Sequence, residues 1–175
     1  MTYSTKSMCN QGRGVTTYLF DWGNTLMIDF PDAQGKMCDW QDVEAVDCAE
    51  DALKALSEKH AIYIATSAKE SSEDDIARAF QRVGLDRYIS GYFCQHNLGL
   101  AKGSVEFYTA IVSRLGINPE QAMMVGDTLE KDILPALKAG LGAIWFNPTE
   151  RNATPIVANQ QIKHLSELIA SRAPD

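Results

Sequence analysis

Four places in this 175-residue chain put chemically capable side chains at expected strand ends or in the loops that follow. Asp21 closes the run Val15 to Phe20, and Thr66-Ser67 follows Ala61 to Ala65. Lys102 lies in Gly99-Leu-Ala-Lys102-Gly103, and Gly126-Asp127 follows Ala122 to Val125, with Asp132 shortly after. The set holds a nucleophile, hydroxyl donors, a cation and a carboxylate pair. Phosphoryl transfer needs that equipment: an attacking oxygen, a metal, and donors around the equatorial oxygens.

These groups belong together only if the runs are strands of one parallel sheet, whose carboxyl ends share an edge. The rest of the pattern supports that. Apolar residues recur at helical spacing from Val43 to Lys59, and Ser72 with Glu73-Asp74-Asp75 opens a helix that runs to Val83 and stops at Gly84. Further helices are expected over Ser104 to Leu115, Leu129 to Ala139 (bent by Pro135) and Ile162 to Ala170. Gly91 to Cys94 and Ala143 to Phe146 complete five expected strands. Strands alternating with helices predict an α/β fold, a three-layer sandwich around a parallel, doubly wound sheet. The exception is the stretch 27–42, with Pro31, Gly35, Asp29, Asp32, Phe30 and Trp40, which reads as a loop or hairpin flap over the site.

Phe20-Asp-Trp-Gly-Asn-Thr-Leu26, the strand ending in Thr66, Lys102 and Val125-Gly-Asp127-Thr-Leu-Glu-Lys-Asp132 resemble, in order, the four motifs of the haloacid dehalogenase (HAD) superfamily. Gly140-Leu-Gly-Ala-Ile-Trp145 resembles the strand after the fourth motif, so the likeness spans about residues 16–147. It implies a Rossmann-like domain, without a cap or minimally capped, and a Mg²⁺-dependent phosphatase or phosphoryl-transfer hydrolase. Carried onto this chain, Asp21 would form an aspartyl-phosphate. Thr66 would hold the phosphoryl group, and Lys102 would neutralise its charge and orient Asp21. Trp22, Gly23 and Ser67 would complete the phosphate site. Asp21, the Gly23 carbonyl, Asp127 and Asp132 would hold Mg²⁺, which favours oxygen ligands with retained waters.

Gly23 departs from the pattern. Phosphatases of the family carry a second Asp there, which protonates the leaving oxygen and then activates water. Such assistance is typically worth about 10²–10⁴-fold. Three outcomes stay open: a substrate with a good leaving group, a replacement acid with Asp29 or Asp32 as candidates, or a catalytically reduced protein that binds phosphate, metal or a protein partner. Phosphonate-cleaving members have a similar Asp-Trp-Ala, but take a lysine from a helical cap for which this chain has no room. Dehalogenating members also lack the second Asp and work without Mg²⁺. The Gly126-Asp127…Asp132 motif argues against that weaker alternative.

Composition sets the outer bounds. One domain over residues 15–175 is expected, with residues 1–14 as a frayed tail. The net charge of −7 argues against a nucleic-acid partner, and no apolar run is long enough to span a bilayer. Cys9, Cys38, Cys48 and Cys94 form no C-x-x-C pair, and with no signal-like start they read as reduced thiols of a cytoplasmic protein. His60, His96 and His164 show no metal-ligand spacing. A phosphorylated substrate is the expected partner, and self-association stays open.

Overall fold

The computed structural model of the protein describes residues 14–151 and 160–170. Most of the stretch read as a tail, with Cys9, lies outside the described residues. Among the described residues, six strands form one sheet: β1 (Thr17–Phe20), β2 (Ala61–Ala65), β3 (Gly91–Phe93), β4 (Ala122–Gly126), β5 (Gly142–Phe146) and β6 (Gln160–Ile162). Their spatial order is β3-β2-β1-β4-β5-β6, and every pairing is parallel. The chain leaves β1 toward β2 on one side and later returns to β4 on the other. The reversal of strand order therefore falls between β1 and β4, where open α/β sheets form their ligand crevice. Phe20 sits in register with both Ile64 and Val125, so Asp21 emerges beside the ends of β2 and β4.

The helices are α1 (Ala49–Ser57), α2 (Glu73–Arg82), α3 (Gln95–Leu98), α4 (Val105–Leu115), α5 (Leu134–Lys138) and α6 (Glu167–Ala170). Successive strand residues face opposite sides of the sheet. Phe20, Ile62 and Ile64 pack in one core with Leu53 of α1, Phe80 of α2 and Leu168 of α6. Leu19, Ala65 and Met124 pack in another with Phe107 and Ile111 of α4 and Ala136 of α5. Apolar cores on both faces of one sheet make the three layers.

Local chemistry sets the helix boundaries. Ser72 and Asp75 form a reciprocal capping box at the start of α2, at 3.3 and 3.0 Å. The helix expected from Val43 starts only at Ala49, because Ala45 pairs antiparallel with Met27 and Cys48 takes a left-handed φ of 61°. The helix expected from Leu129 is in two parts, a π-helical turn over Leu129–Ile133 followed by α5. Pro135 therefore lies in the first turn of α5 rather than bending a longer helix. With no N–H it cannot bond the carbonyl of Lys131, and the Tyr108 hydroxyl donates to that oxygen instead, at 2.7 Å. The helix expected from Ile162 is limited to α6. Ile162 pairs with Phe146 and closes a sixth strand, Gln-Gln-Ile, too short and polar to show a strand period.

The flap over 27–42 is a loop with one 3₁₀ turn at Met37–Asp39. Its base is closed by the Met27–Ala45 bridge. Its far end is fastened to α2. Arg82 donates to the carbonyls of Cys38, Trp40 and Gln41 at 3.3, 2.5 and 2.9 Å. Asp75 accepts from Lys36 and from Arg78, both at 2.7 Å. Lys36, the Ser72 N–H and Arg78 together hold the Asp75 carboxyl far below the usual carboxylate range. Among the described residues, no helix is long and apolar enough to cross a membrane.

Candidate active site

Asp21 leaves β1 with its N–H donated to the Val125 carbonyl at 2.9 Å, which fixes its main chain against β4. Both carboxylate oxygens have partners. The Thr25 hydroxyl donates to Oδ2 at 3.1 Å, and Lys102 Nζ lies 2.5 Å from Oδ1. Lys102 also donates to the Ala65 carbonyl at 2.7 Å and pairs with Asp132 Oδ1 at 2.7 Å. Its three N–H donors thus have three acceptors, from the ends of β1 and β2 and from the turn after β4. The side chains of Lys102 and Asp132 are each 1% exposed. Burial would pull the lysine pKa down, but the charges of Asp21 and Asp132 outweigh it and hold it well above the ordinary value.

Asp132 reaches Lys102 because the π turn folds its side chain back over β4. Asp132 Oδ2 accepts the Thr128 N–H at 2.9 Å. A β-carbon at Gly126 would stand 2.3 Å from that same oxygen and 2.5 Å from Cγ, so only glycine leaves room for the carboxyl. Asp127 continues β4 into the site. Its Oδ1 accepts from the Thr128 hydroxyl at 3.3 Å, and its carbonyl accepts from Trp145 Nε1 at 3.0 Å.

Asp21, Asp127 and Asp132 each offer a carboxylate oxygen within 4.8 Å of the others. Burial first, then the Asp21 charge, raises the Asp127 pKa to about 7. Burial also raises Asp132; Lys102 lowers it and Asp21 raises it again, to a net value of about 6. Three acidic oxygens thus crowd together, and Lys102 is paired with two of the three acids. A hard divalent cation with oxygen ligands fits that donor set. The Gly23–Met27 bridge is built from the Trp22 carbonyl and the Asn24 N–H, so it does not use the Gly23 carbonyl.

Around this cluster is a cleft of about 410 Å³, lined among others by Gly23, Asp29, Thr66, Ser67, Glu70 and Lys131. Thr66 is buried, and its Oγ1 accepts the Ala68 N–H at 3.1 Å, which leaves the hydroxyl hydrogen to donate elsewhere. Trp22 also lines the cleft, but its ring is core material: 5% exposed, 5.9 Å from the Phe80 ring, with Nε1 donating to Met27 Sδ at 3.2 Å. Its main chain is left as the part that can meet a ligand. The structure thus brings Asp21, Trp22, Gly23, Thr66, Ser67, Lys102, Asp127 and Asp132 to one cleft. Of the two candidate flap acids, Asp29 lines the cleft and Asp32 does not.

The sequence model of the haloacid dehalogenase-like hydrolases matches residues 23–140, well over half of the chain. The chain belongs to this hydrolase family. It is 29% identical over 137 residues to the ribulose-1,5-bisphosphate 5-phosphatase of Halopiger xanaduensis, covering 73% of this chain and 56% of that protein. It spans about half the length of the curated relatives it matches first. The structure of an uncharacterised Listeria monocytogenes protein has a TM-score of 0.78 at 22% identity, covering 90% of this chain and 96% of that one. A Bacillus subtilis HAD-hydrolase bound to magnesium has a TM-score of 0.74 at 17% identity, over 91% of this chain and 99% of that one. Likeness at these identities concerns the fold.

Thr25 is the contact in this HAD-like hydrolase to which sequence reasoning assigned no role. It lies in Gly23-Asn-Thr25-Leu26, and it is fully buried although polar. Its place in the turn after Asp21 is the signal that could have singled it out. The Tyr108 bond to the π turn has no such signal, because a tyrosine in an amphipathic helix reads as core.

Proposed function

We propose that this HAD-like hydrolase is a Mg²⁺-dependent phosphatase acting on a phosphorylated small molecule through an aspartyl-phosphate on Asp21. The observation that carries the reading is the Lys102–Asp21–Asp132 arrangement, at 2.5 and 2.7 Å, beside three carboxylates converging within 4.8 Å. Asp21, the Gly23 carbonyl, Asp127 and Asp132 would hold the ion. When bound it would supply positive charge to the non-bridging phosphoryl oxygens.

The chain's own residues do the rest. Lys102 and Thr25 hold the Asp21 carboxylate, with the lysine charge also available to a phosphoryl oxygen. The Thr66 hydroxyl and the Trp22 and Gly23 main chain supply donors around the transferring group. Asp21 attacks phosphorus, the bond to the leaving oxygen breaks, and water then releases phosphate from the aspartyl-phosphate. The Halopiger phosphatase relative and the magnesium-bound Bacillus fold relative support this reading. Cys38, Cys48 and Cys94 are free thiols, which suits a cytoplasmic setting.

Turnover of acyl and aryl phosphates, with and without Mg²⁺, tests it. Metal-dependent phosphate release abolished by Asp21→Asn is the expected result, and turnover that survives Asp21→Asn removes Asp21 from the mechanism. Gly23 favours a second reading, a phosphate- and metal-binding protein without turnover. Magnesium binding with no hydrolysis of any phosphate ester or anhydride would select it. Halide release unaffected by chelator would instead select dehalogenation.

A further inference from the structure

Attack by Asp21 on an alkyl or aryl phosphate leaves an alkoxide or phenoxide that needs a proton, and the following attack by water needs a base. Gly23, on the turn beside Asp21, has no side chain to provide either. Among the described residues, five carboxyl groups line the cleft: Asp21, Asp29, Glu70, Asp127 and Asp132. Asp21 is the nucleophile. Asp132 is tied to Lys102, and Asp127 faces Asp21 where the cation would sit. Asp29 and Glu70 remain.

Their placement separates them. A β-carbon built on Gly23 would stand 3.4 Å from Asp29 Cβ and 3.6 Å from its Oδ2. The Asp29 carboxylate therefore lies in the space that a side chain at position 23 would enter. Asn24 holds the Asp29 main chain beside that gap. Asn24 adopts a left-handed φ of 59°, and its Oδ1 accepts the Asp29 N–H at 3.0 Å. The Ile28 N–H to Glu44 carbonyl bond at 2.9 Å holds the next residue back along the flap. Glu70, in the loop after β2, is exposed as Asp29 is, but the atoms nearest to a β-carbon at position 23 belong to Asp29 and not to Glu70.

We infer that Asp29 is the general acid and base of this site, delivered from the flap into the gap left by Gly23. The inference rests on the phosphatase reading above. As the Asp21–phosphorus bond forms, the Asp29 carboxylic acid gives its proton to the departing oxygen and becomes a carboxylate. That carboxylate then takes a proton from the water that attacks the aspartyl-phosphate. The phosphorus–Asp21 bond breaks, inorganic phosphate leaves, and Asp21 returns as carboxylate with Asp29 protonated.

The test is kcat/KM for dinitrophenyl, nitrophenyl and phenyl phosphate with the wild type, Asp29→Asn and Glu70→Gln. This parameter reports steps up to formation of the aspartyl-phosphate, so it isolates the acid role. Asp29→Asn is expected to lower it about 100-fold or more for phenyl phosphate and less than about 10-fold for dinitrophenyl phosphate, whose leaving group needs no proton. Glu70→Gln is expected to leave the series unchanged. An equal fall across the series in Asp29→Asn, no fall at all, or a leaving-group-dependent fall in Glu70→Gln overturns the assignment. If the wild type releases no phosphate even from dinitrophenyl phosphate, the phosphatase reading fails first and this inference with it.

Discussion

Lys102 Nζ lies 2.5 Å from Asp21 Oδ1, and the same ammonium is 2.7 Å from Asp132 Oδ1. One buried cation therefore joins the carboxylate after β1 to the carboxylate folded back over β4. Both carboxylates also belong to the triad that can hold a divalent ion, so the lysine supports one side of the site while the ion would neutralise the other.

Removing the cation strands buried charge. Lys102→Met is expected to destabilise the fold by about 3–5 kcal/mol near neutral pH, because two carboxylates lose their partner. The loss should shrink toward about pH 5, where the abandoned Asp132 takes up a proton. Denaturant unfolding at the two pH values measures it, and a loss independent of pH would show that the pair contributes little electrostatically.

The carboxylate triad makes stability depend on pH and metal together. Asp127 at about 7 and Asp132 at about 6 are both raised from the model-peptide value of 3.8. A carboxyl raised in the fold contributes stability that is complete below its unfolded pKa and is lost as pH rises through the folded one. In that window, from about 4 to 7, the metal-free protein loses this contribution. Magnesium competes with those protons, so the rise in Tm on adding Mg²⁺ should be small near about pH 5 and larger near about pH 8. Thermal scans with Mg²⁺ and with chelator provide the comparison; an increment that does not grow with pH argues against ion binding at these groups.

Gly126→Ala tests the folded-back carboxyl. Its β-carbon would come within 2.3 Å of Asp132 Oδ2. Overpacking of this kind typically costs about 1–3 kcal/mol, and here it must also push Asp132 off Lys102. Expected are a lower Tm and weaker Mg²⁺ binding, read by thermal scan and by calorimetric titration. Wild-type metal affinity in this variant would place Asp132 outside the ion site.

Arg82 holds the flap by three carbonyls, and a lysine cannot reproduce that fork. Arg82→Lys and Arg82→Ala should both speed amide hydrogen exchange over residues 36–42 while leaving β1, β2 and β4 protected. Unchanged exchange in the flap would mean that the Lys36–Asp75 pair and the contacts of Arg78 with Cys38 and Asp39 hold it without Arg82.

Gly23→Asp and Asp29 compete for one space. A β-carbon at 23 fits, at 3.4 Å from Asp29 Cβ, but a second carboxylate there would face the first. Gly23→Asp alone should gain little on phenyl phosphate, whereas Gly23→Asp in an Asp29→Ala background should recover much of the activity that Asp29→Ala loses. The absence of rescue, with the fold intact, would separate the two positions.

The strand ends were legible because each apolar run stops at a polar or turn residue, and alternation with helical periods implies a parallel sheet. Asp21, Thr66, Asp127 and Asp132 could therefore be read as one edge, whereas Lys102 lies in a loop beyond α3 and was joined to them by the order of the motifs. The close approach at Gly126 was not legible, since it depends on a π turn that Pro135 and Tyr108 support from different elements. Nor was the flap's anchor, because Arg82 lies about 40 residues from the carbonyls it holds and looks like a solvated helix residue. Asp29 and Asp32 were equivalent as sequence. The Asn24 side chain and the gap at Gly23 distinguish them.

The central claim is the phosphoryl group on Asp21. Wild-type protein mixed with acetyl phosphate and Mg²⁺, quenched in acid and digested, should yield the peptide containing Asp21 heavier by one phosphoryl group, and Asp29→Asn should accumulate more of it. The same adduct on any other residue, or its persistence in Asp21→Asn, would contradict the account.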